Sequence, residues 1–207
     1  MASKILKIGL TGGIGCGKSQ VRKQLAERGV PTIDADTVSR QIAAADARAI
    51  AAIKQKFGDD VYAPDGTLQR HILATRVFGD SSAIAALNAI LHPLVFEYTD
   101  EQVAHFANAG EKFVVIEAAL FYETGWHKQM DKMVVVTAPM NKRLVWLLRR
   151  DGVSHEQIRA RMAHQIPVEK KAAQADFIID NNGTLADLAR AVGQLLDKLR
   201  KLAIALS

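Results

Sequence analysis

The sequence predicts an α/β protein, with a five-stranded parallel sheet covered by helices on both faces. Three observations predict it. Short apolar runs alternate with helical stretches along the 207 residues, the pattern of strands buried on both sides. A glycine cluster follows the first run, where a strand has to turn into a helix. Between the second and third runs lie about 75 residues of helical periodicity, far more than the single helix a parallel crossover needs.

The expected strands, in order, are Lys4 to Leu10, Pro31 to Asp34, Phe113 to Glu117, Lys132 to Thr137 and Asp176 to Ile179. The first begins in MASKILKIGLTGG, where one basic residue precedes a short apolar stretch that ends in glycines and not in a cleavage site, so it reads as a strand and not a signal. The long helical stretch, residues 37–110, is expected to be an inserted helical subdomain, with Ala-Pro-Asp-Gly at 63–66 as a turn between helices. A second, arginine-rich helical excursion covers residues 141–175. The core is then residues 1–36, 111–140 and 176–207. At the C-terminus Leu185, Leu188, Val192, Leu195, Leu199, Leu202 and Leu206 form an amphipathic stripe. It suits a helix packed on its own sheet better than a dimer zipper, because Gly193 interrupts only three heptads.

Composition sets outer bounds. With 49% hydrophobic and 24% charged residues, and no apolar run near the ~20 residues of a spanning helix, a membrane protein is not expected. Cys16 is the only cysteine, which excludes an internal disulfide and fits a reducing cytoplasm. The net charge of +5 suits a polyanionic partner. Few of the twelve aromatics stand near the arginines, so a nucleic-acid partner is not expected. A monomer is the expected state.

Gly12, Gly17, Lys18 and Ser19 match the phosphate-loop pattern G-x-x-x-x-G-K-[ST] in the strand–loop–helix context it requires. Backbone N–H groups from Gly13, Ile14, Gly15, Cys16, Gly17, Lys18, Ser19 and Gln20 can turn toward phosphate oxygens, helped by the positive end of the following helix. Lys18 is expected to reach the β- and γ-phosphates of ATP, and Ser19 to offer its hydroxyl to Mg²⁺. The thiol of Cys16 has two readings: an inert one, or a pKa lowered by the helix start and Lys18 that makes it reactive until ATP shields it. A GTPase is disfavoured, because the one Asn-Lys pair, Asn141-Lys142, continues Arg143-Leu144 and lacks the aspartate that reads guanine. The Asp-Asn-Asn-Gly at 180–183 imitates a switch motif but has no guanine reader after it.

The second strand ends in Ile-Asp-Ala-Asp-Thr, which puts Asp34 and Asp36 at the carboxyl edge of the sheet, where open α/β sheets bind ligands. A carboxylate there can take a proton from an attacking hydroxyl or help hold Mg²⁺; the alternative for Asp36 is an N-cap of a helix starting near Thr37. Arg143, Arg149, Arg150, Arg159 and Arg161 cluster between the last strands, some as lid arginines that neutralise the transferring phosphoryl, others as solvated surface.

Beyond the loop, the residues resemble the dephospho-coenzyme A kinase family nearly end to end. The likeness rests on GLTGGIGCGKS at 9–19, VPTIDADTVSR at 30–40, DGTLQRHILATRVF at 65–78, LHPLV at 91–95, ALFYETG at 119–125, RRDG at 149–152, RMAHQ at 161–165 and ADFIIDNNG at 175–183. The resemblance implies a P-loop NTPase three-layer fold with a helical substrate-binding insertion and a helical lid. It also implies ATP-dependent phosphorylation of the ribose 3′-hydroxyl of dephospho-CoA, with Asp36 as general base. Arg70, His92, Tyr122 and Glu123 would line the acceptor side, and Asn181 would approach adenine; His92 before Pro93 reads alternatively as a turn residue, and Asn181 as a helix cap. The family's usual lid arginine is Trp146 here, which leaves Arg143, Arg149 or Arg150 for that charge. Cys16, Gln20 and Ala119 are further departures from the family pattern. The rival readings are a kinase of another small nucleotide or nucleoside and, from a different class, an ATP-gated nucleic-acid-binding protein.

Overall fold

The computed structural model describes residues 5–77, 79–151, 154–163 and 165–205. Its sheet has five parallel strands: β1 (Leu6–Gly12), β2 (Thr32–Asp34), β3 (Phe113–Glu117), β4 (Lys132–Thr137) and β5 (Phe177–Asp180), in the order β2-β3-β1-β4-β5. All five residues of β3 are buried, as are the four central residues of β4. Because successive side chains point to opposite faces, burial without alternation means both faces are covered. The sheet is the middle of three layers. Ile8 and Leu10 of β1, fully buried, each contribute about 1.5–3 kcal/mol by leaving water.

By its packing the chain divides into two units, one formed by residues up to Asp34 with those from Val103 on, the other by Ala35–Gln102. In the first unit α1 (Lys18–Ala26) packs on α9 (Leu185–Ala205), and both touch the sheet. α9 buries Leu188, Val192, Leu195, Leu196, Leu199 and Ala203, while Leu185, at the head of the expected stripe, is exposed and Leu206 lies outside the described residues. The arginine-rich stretch forms α6 (Met140–Asp151), α7 (His155–Ala163) and α8 (Val168–Ala172), and α8 packs over β4 and β1.

The second unit is helical: α2 (Ala35–Ala45), α3 (Ala47–Phe57), α4 (Arg70–Val77) and most of α5 (Ser81–Asn108), as far as Gln102. Asp46 caps α3 by accepting from the amides of Arg48 (2.8 Å) and Ala49 (3.3 Å). The expected turn at 63–66 is present: Gly66 N–H donates to Ala63 O at 2.8 Å and closes an antiparallel bridge between Tyr62 and Leu68. Among the described residues no helix is long and apolar enough to cross a membrane.

Candidate active site

β1 ends at Gly12 and α1 begins at Lys18, so the glycine cluster is the link between a central strand and a helix head. Gly17 holds φ at +90°, and a Cβ there would overlap the side-chain nitrogen of Asn181, so two independent constraints demand glycine. Cys16 N–H turns back onto Gly13 O at 3.2 Å. α1 has no acidic residue in its first turn, which leaves its positive end available to an anion. Lys18 Nζ lies 3.5 Å from Gly12 O and 3.4 Å from Gly13 O, folded over the loop it belongs to.

Three side chains from the C-terminal half hold this loop. Arg143 Nε donates to Ile14 O at 2.9 Å, Gln165 Oε1 accepts from Ile14 N–H at 3.1 Å, and Asn181 Nδ2 donates to Cys16 O at 3.0 Å. Arg143 is only 5% exposed, and a Cβ on Gly13 would come within 2.7 Å of its guanidinium. Its guanidinium is thus engaged by the loop itself, whereas the expectation left the lid charge to Arg143, Arg149 or Arg150. Asn181 is not the cap of α9; Thr184 and Asp187 form that cap, with Thr184 N–H to Asp187 Oδ2 at 2.9 Å and Asp187 N–H to Thr184 Oγ1 at 3.2 Å.

The carboxyl ends of β2 and β3 bring acids to the same edge. Asp34 and Glu117 are register partners; Ser19 Oγ donates to Glu117 Oε1 at 3.0 Å. Arg22 bridges the pair, with Nε to Glu117 Oε2 at 2.7 Å and Nη2 to Asp34 Oδ2 at 3.2 Å. Glu117 is buried, and these donors satisfy both of its carboxylate oxygens. A hydroxyl beside carboxylates is the oxygen donor set that a hard ion such as Mg²⁺ takes. Asp36 is exposed in the first turn of α2, which starts at Ala35 and not near Thr37, so Asp36 is not its N-cap.

Beside the loop opens a cleft of about 730 Å³. Lys18, Ser19 and Gln20 line its phosphate-loop end, and Trp146, Leu147, Leu185 and Leu188 give it an apolar wall. Arg149 reaches the cleft; the side chain of Arg150 lies outside the described residues.

The family profile of dephospho-CoA kinases matches residues 6–187. This chain belongs to the dephospho-CoA kinase family. It is 42% identical over 193 residues to a dephospho-CoA kinase of Anaeromyxobacter dehalogenans, covering 93% of this chain and 92% of that one. Among solved structures it resembles TT1252 of Thermus thermophilus, with TM-score 0.81 and 31% identity over 95% of this chain and 99% of the other. The dephospho-CoA kinase of Campylobacter jejuni superposes with TM-score 0.64 at 26% identity, over 93% and 96% of the two chains.

The remaining residues expected at this kinase's site have these surroundings. Arg70 opens α4 and is exposed. His92 stacks on Phe96 inside α5, not in a turn, and burial pulls its pKa down. Tyr122 is buried and stacks on His127, its pKa raised by burial and the charge of Asp176. Glu123 accepts from Lys171 Nζ at 2.7 Å and from Ile166 N–H at 2.8 Å, so its carboxylate fastens α8 and the segment before it.

Burial pushes the Cys16 thiol up in pKa, with Arg143 and Lys18 offsetting it only in part, so the reactive reading gives way to the inert one. In the folded kinase iodoacetamide is expected to label Cys16 far more slowly than after guanidinium unfolding, with MgATP making no difference; fast labelling that MgATP suppresses would restore the reactive reading.

Sequence patterns do not single out Glu117, Arg22, Gln165 or Lys171 as functional. Arg22 carries a signal nonetheless: three residues after Ser19, it shares a helix face with it. So does Glu117, the second acid to end a strand at this edge.

Proposed function

We propose that this kinase transfers the γ-phosphoryl group of ATP in line to the 3′-hydroxyl of the ribose of dephospho-CoA. The observation that carries the reading is one sheet edge holding an anion cradle that ends in Lys18 and Ser19, joined through Ser19 and Arg22 to the carboxylates of Glu117 and Asp34. The triphosphate lies on the loop amides other than those of Ile14 and Cys16, which Gln165 Oε1 and Gly13 O already hold, with Lys18 against its β- and γ-oxygens, and the base lies between Trp146 and the turn from Asn181 to Leu185. Ser19, backed by Glu117, would hold Mg²⁺, which supplies neutralising charge to the phosphates. Asp36, two residues past Asp34, takes the proton of the attacking hydroxyl. Arg149, at the cleft, and Arg150 serve as the lid cations, while Arg143 braces the loop. Arg70, His92 and Tyr122 meet the acceptor; Glu123 acts behind them through Lys171.

The test is ADP release with dephospho-CoA, AMP, CMP and adenosine as acceptors, with the position of the new phosphate read by NMR. Turnover with dephospho-CoA and none of the other three, and phosphate on the 3′-oxygen, is expected. Turnover of AMP or CMP without dephospho-CoA would transfer the site to another nucleotide.

A further inference from the structure

We infer that Gln165 is a positioning residue for ATP: it acts on Lys18 through the peptide bond between Gly13 and Ile14. The proposal deepens the function given above and rests on it.

Both ends of that peptide are engaged. Its N–H, from Ile14, donates to Gln165 Oε1 at 3.1 Å. Its carbonyl, Gly13 O, receives Cys16 N–H at 3.2 Å and lies 3.4 Å from Lys18 Nζ. Rotating the peptide to free the N–H would swing the carbonyl away from Cys16 and Lys18 together. The neighbouring peptide is held separately, by Arg143 Nε on Ile14 O. Ile14 has glycine on both sides, so its own chain resists such a rotation little, and the restraint has to come from outside the loop.

Gln165 can supply it because its own backbone is fastened. The next residue, Ile166, donates its N–H to Glu123 Oε1 at 2.8 Å, and the same oxygen is paired at 2.7 Å with Lys171, which is fully buried and also donates to Ala119 O at 3.0 Å. A buried ion pair thus fixes the start of the segment whose side chain reaches the loop. Lys171, Glu123, Ile166, Gln165, the Gly13–Ile14 peptide and Lys18 are joined in series by polar contacts and, between Ile166 and Gln165, by the chain itself. It ends on the cation assigned to the β- and γ-phosphates.

The decisive variant is Gln165→Leu, which keeps a branched side chain, one bond shorter, and removes the acceptor; Gln165→Glu keeps an acceptor for Ile14 N–H. In the ligand-free protein, hydrogen exchange at the Ile14 amide is expected to quicken roughly tenfold in Gln165→Leu and to stay near wild type in Gln165→Glu. With the leucine variant KM for ATP is expected to rise roughly tenfold while KM for dephospho-CoA changes less than about twofold. A role in packing alone would leave both KM values in place. Unchanged Ile14 exchange, an unchanged KM for ATP, or an equal rise in both KM values would overturn the proposal. Wild-type protein that releases no ADP with dephospho-CoA would instead overturn the function, and the exchange measurement stands apart from that result.

Discussion

Asp36→Asn is expected to lower kcat by about 10²–10⁴-fold while ATP binds with an affinity within about threefold of wild type. Asparagine keeps the size of the side chain and an oxygen that accepts a hydrogen bond, but it cannot take a proton. The residue is exposed in the first turn of α2, so the change leaves the packed core alone and the loss reads as chemistry, not folding. A ribose hydroxyl is a poor nucleophile at neutral pH, and its proton must leave as the bond to phosphorus forms. Neither Glu117 nor Asp34 is suited to receiving that proton, because Glu117 is buried between Ser19 and Arg22, and Asp34 is engaged by the same arginine. Steady-state kinetics with dephospho-CoA, beside calorimetric titration of ATP into the variant, separate the two effects. Full kcat in Asp36→Asn would remove the residue from the base role, and an equal loss of ATP affinity would make it a binding group.

What the sequence made legible was local. The phosphate loop occupies eight consecutive residues, and each has its consequence within a few positions: Gly17 takes a positive φ that other residues resist, Lys18 opens the helix and Ser19 follows on it. The strands were legible for a related reason, since burial on both faces makes Phe113 to Ile116 and Met133 to Val136 unbroken apolar runs. Strand order was not, because β1 lies between β3 and β4 through pairings that no local pattern encodes. The groups that brace the site were hidden for the same reason. Gln165, between α7 and α8, reaches Ile14, and Lys171 of α8 reaches Glu123, across long stretches of chain; RMAHQ ends at this glutamine, but nothing in it or around the lysine announces such a partner. Arg143 shows the converse. Its place in an arginine-rich stretch left it one of several candidates for a lid charge, and nothing local announces that the missing side chain of Gly13 opens a slot for its guanidinium.

Lys171→Met is expected to cost about 3–5 kcal/mol of folding stability, the range for breaking a buried pair by removing one partner. Methionine can follow the aliphatic stem through the same packing, so the loss arises from charge and not from a cavity. Without the ammonium, Glu123 keeps Ile166 N–H on Oε1, while its Oε2 is buried with no hydrogen-bond partner among the described residues. The carbonyl of Ala119 loses its shorter hydrogen bond as well and keeps only the longer one from Thr11 Oγ1 at 3.4 Å. Urea denaturation should register the drop, and the melting temperature should fall by roughly 10 °C for a chain of this size. Adding Glu123→Gln to Lys171→Met removes the stranded charge and is expected to restore more than half of the loss; a single-variant cost below about 1 kcal/mol would show the pair contributing little. The double variant also separates stability from positioning. It folds, but Ile166 N–H then meets a neutral amide in place of an ion-paired carboxylate, so Gln165 is less firmly seated and KM for ATP should rise in the direction expected for Gln165→Leu. A double variant with recovered stability and wild-type affinity for ATP would confine the ion pair to a structural role.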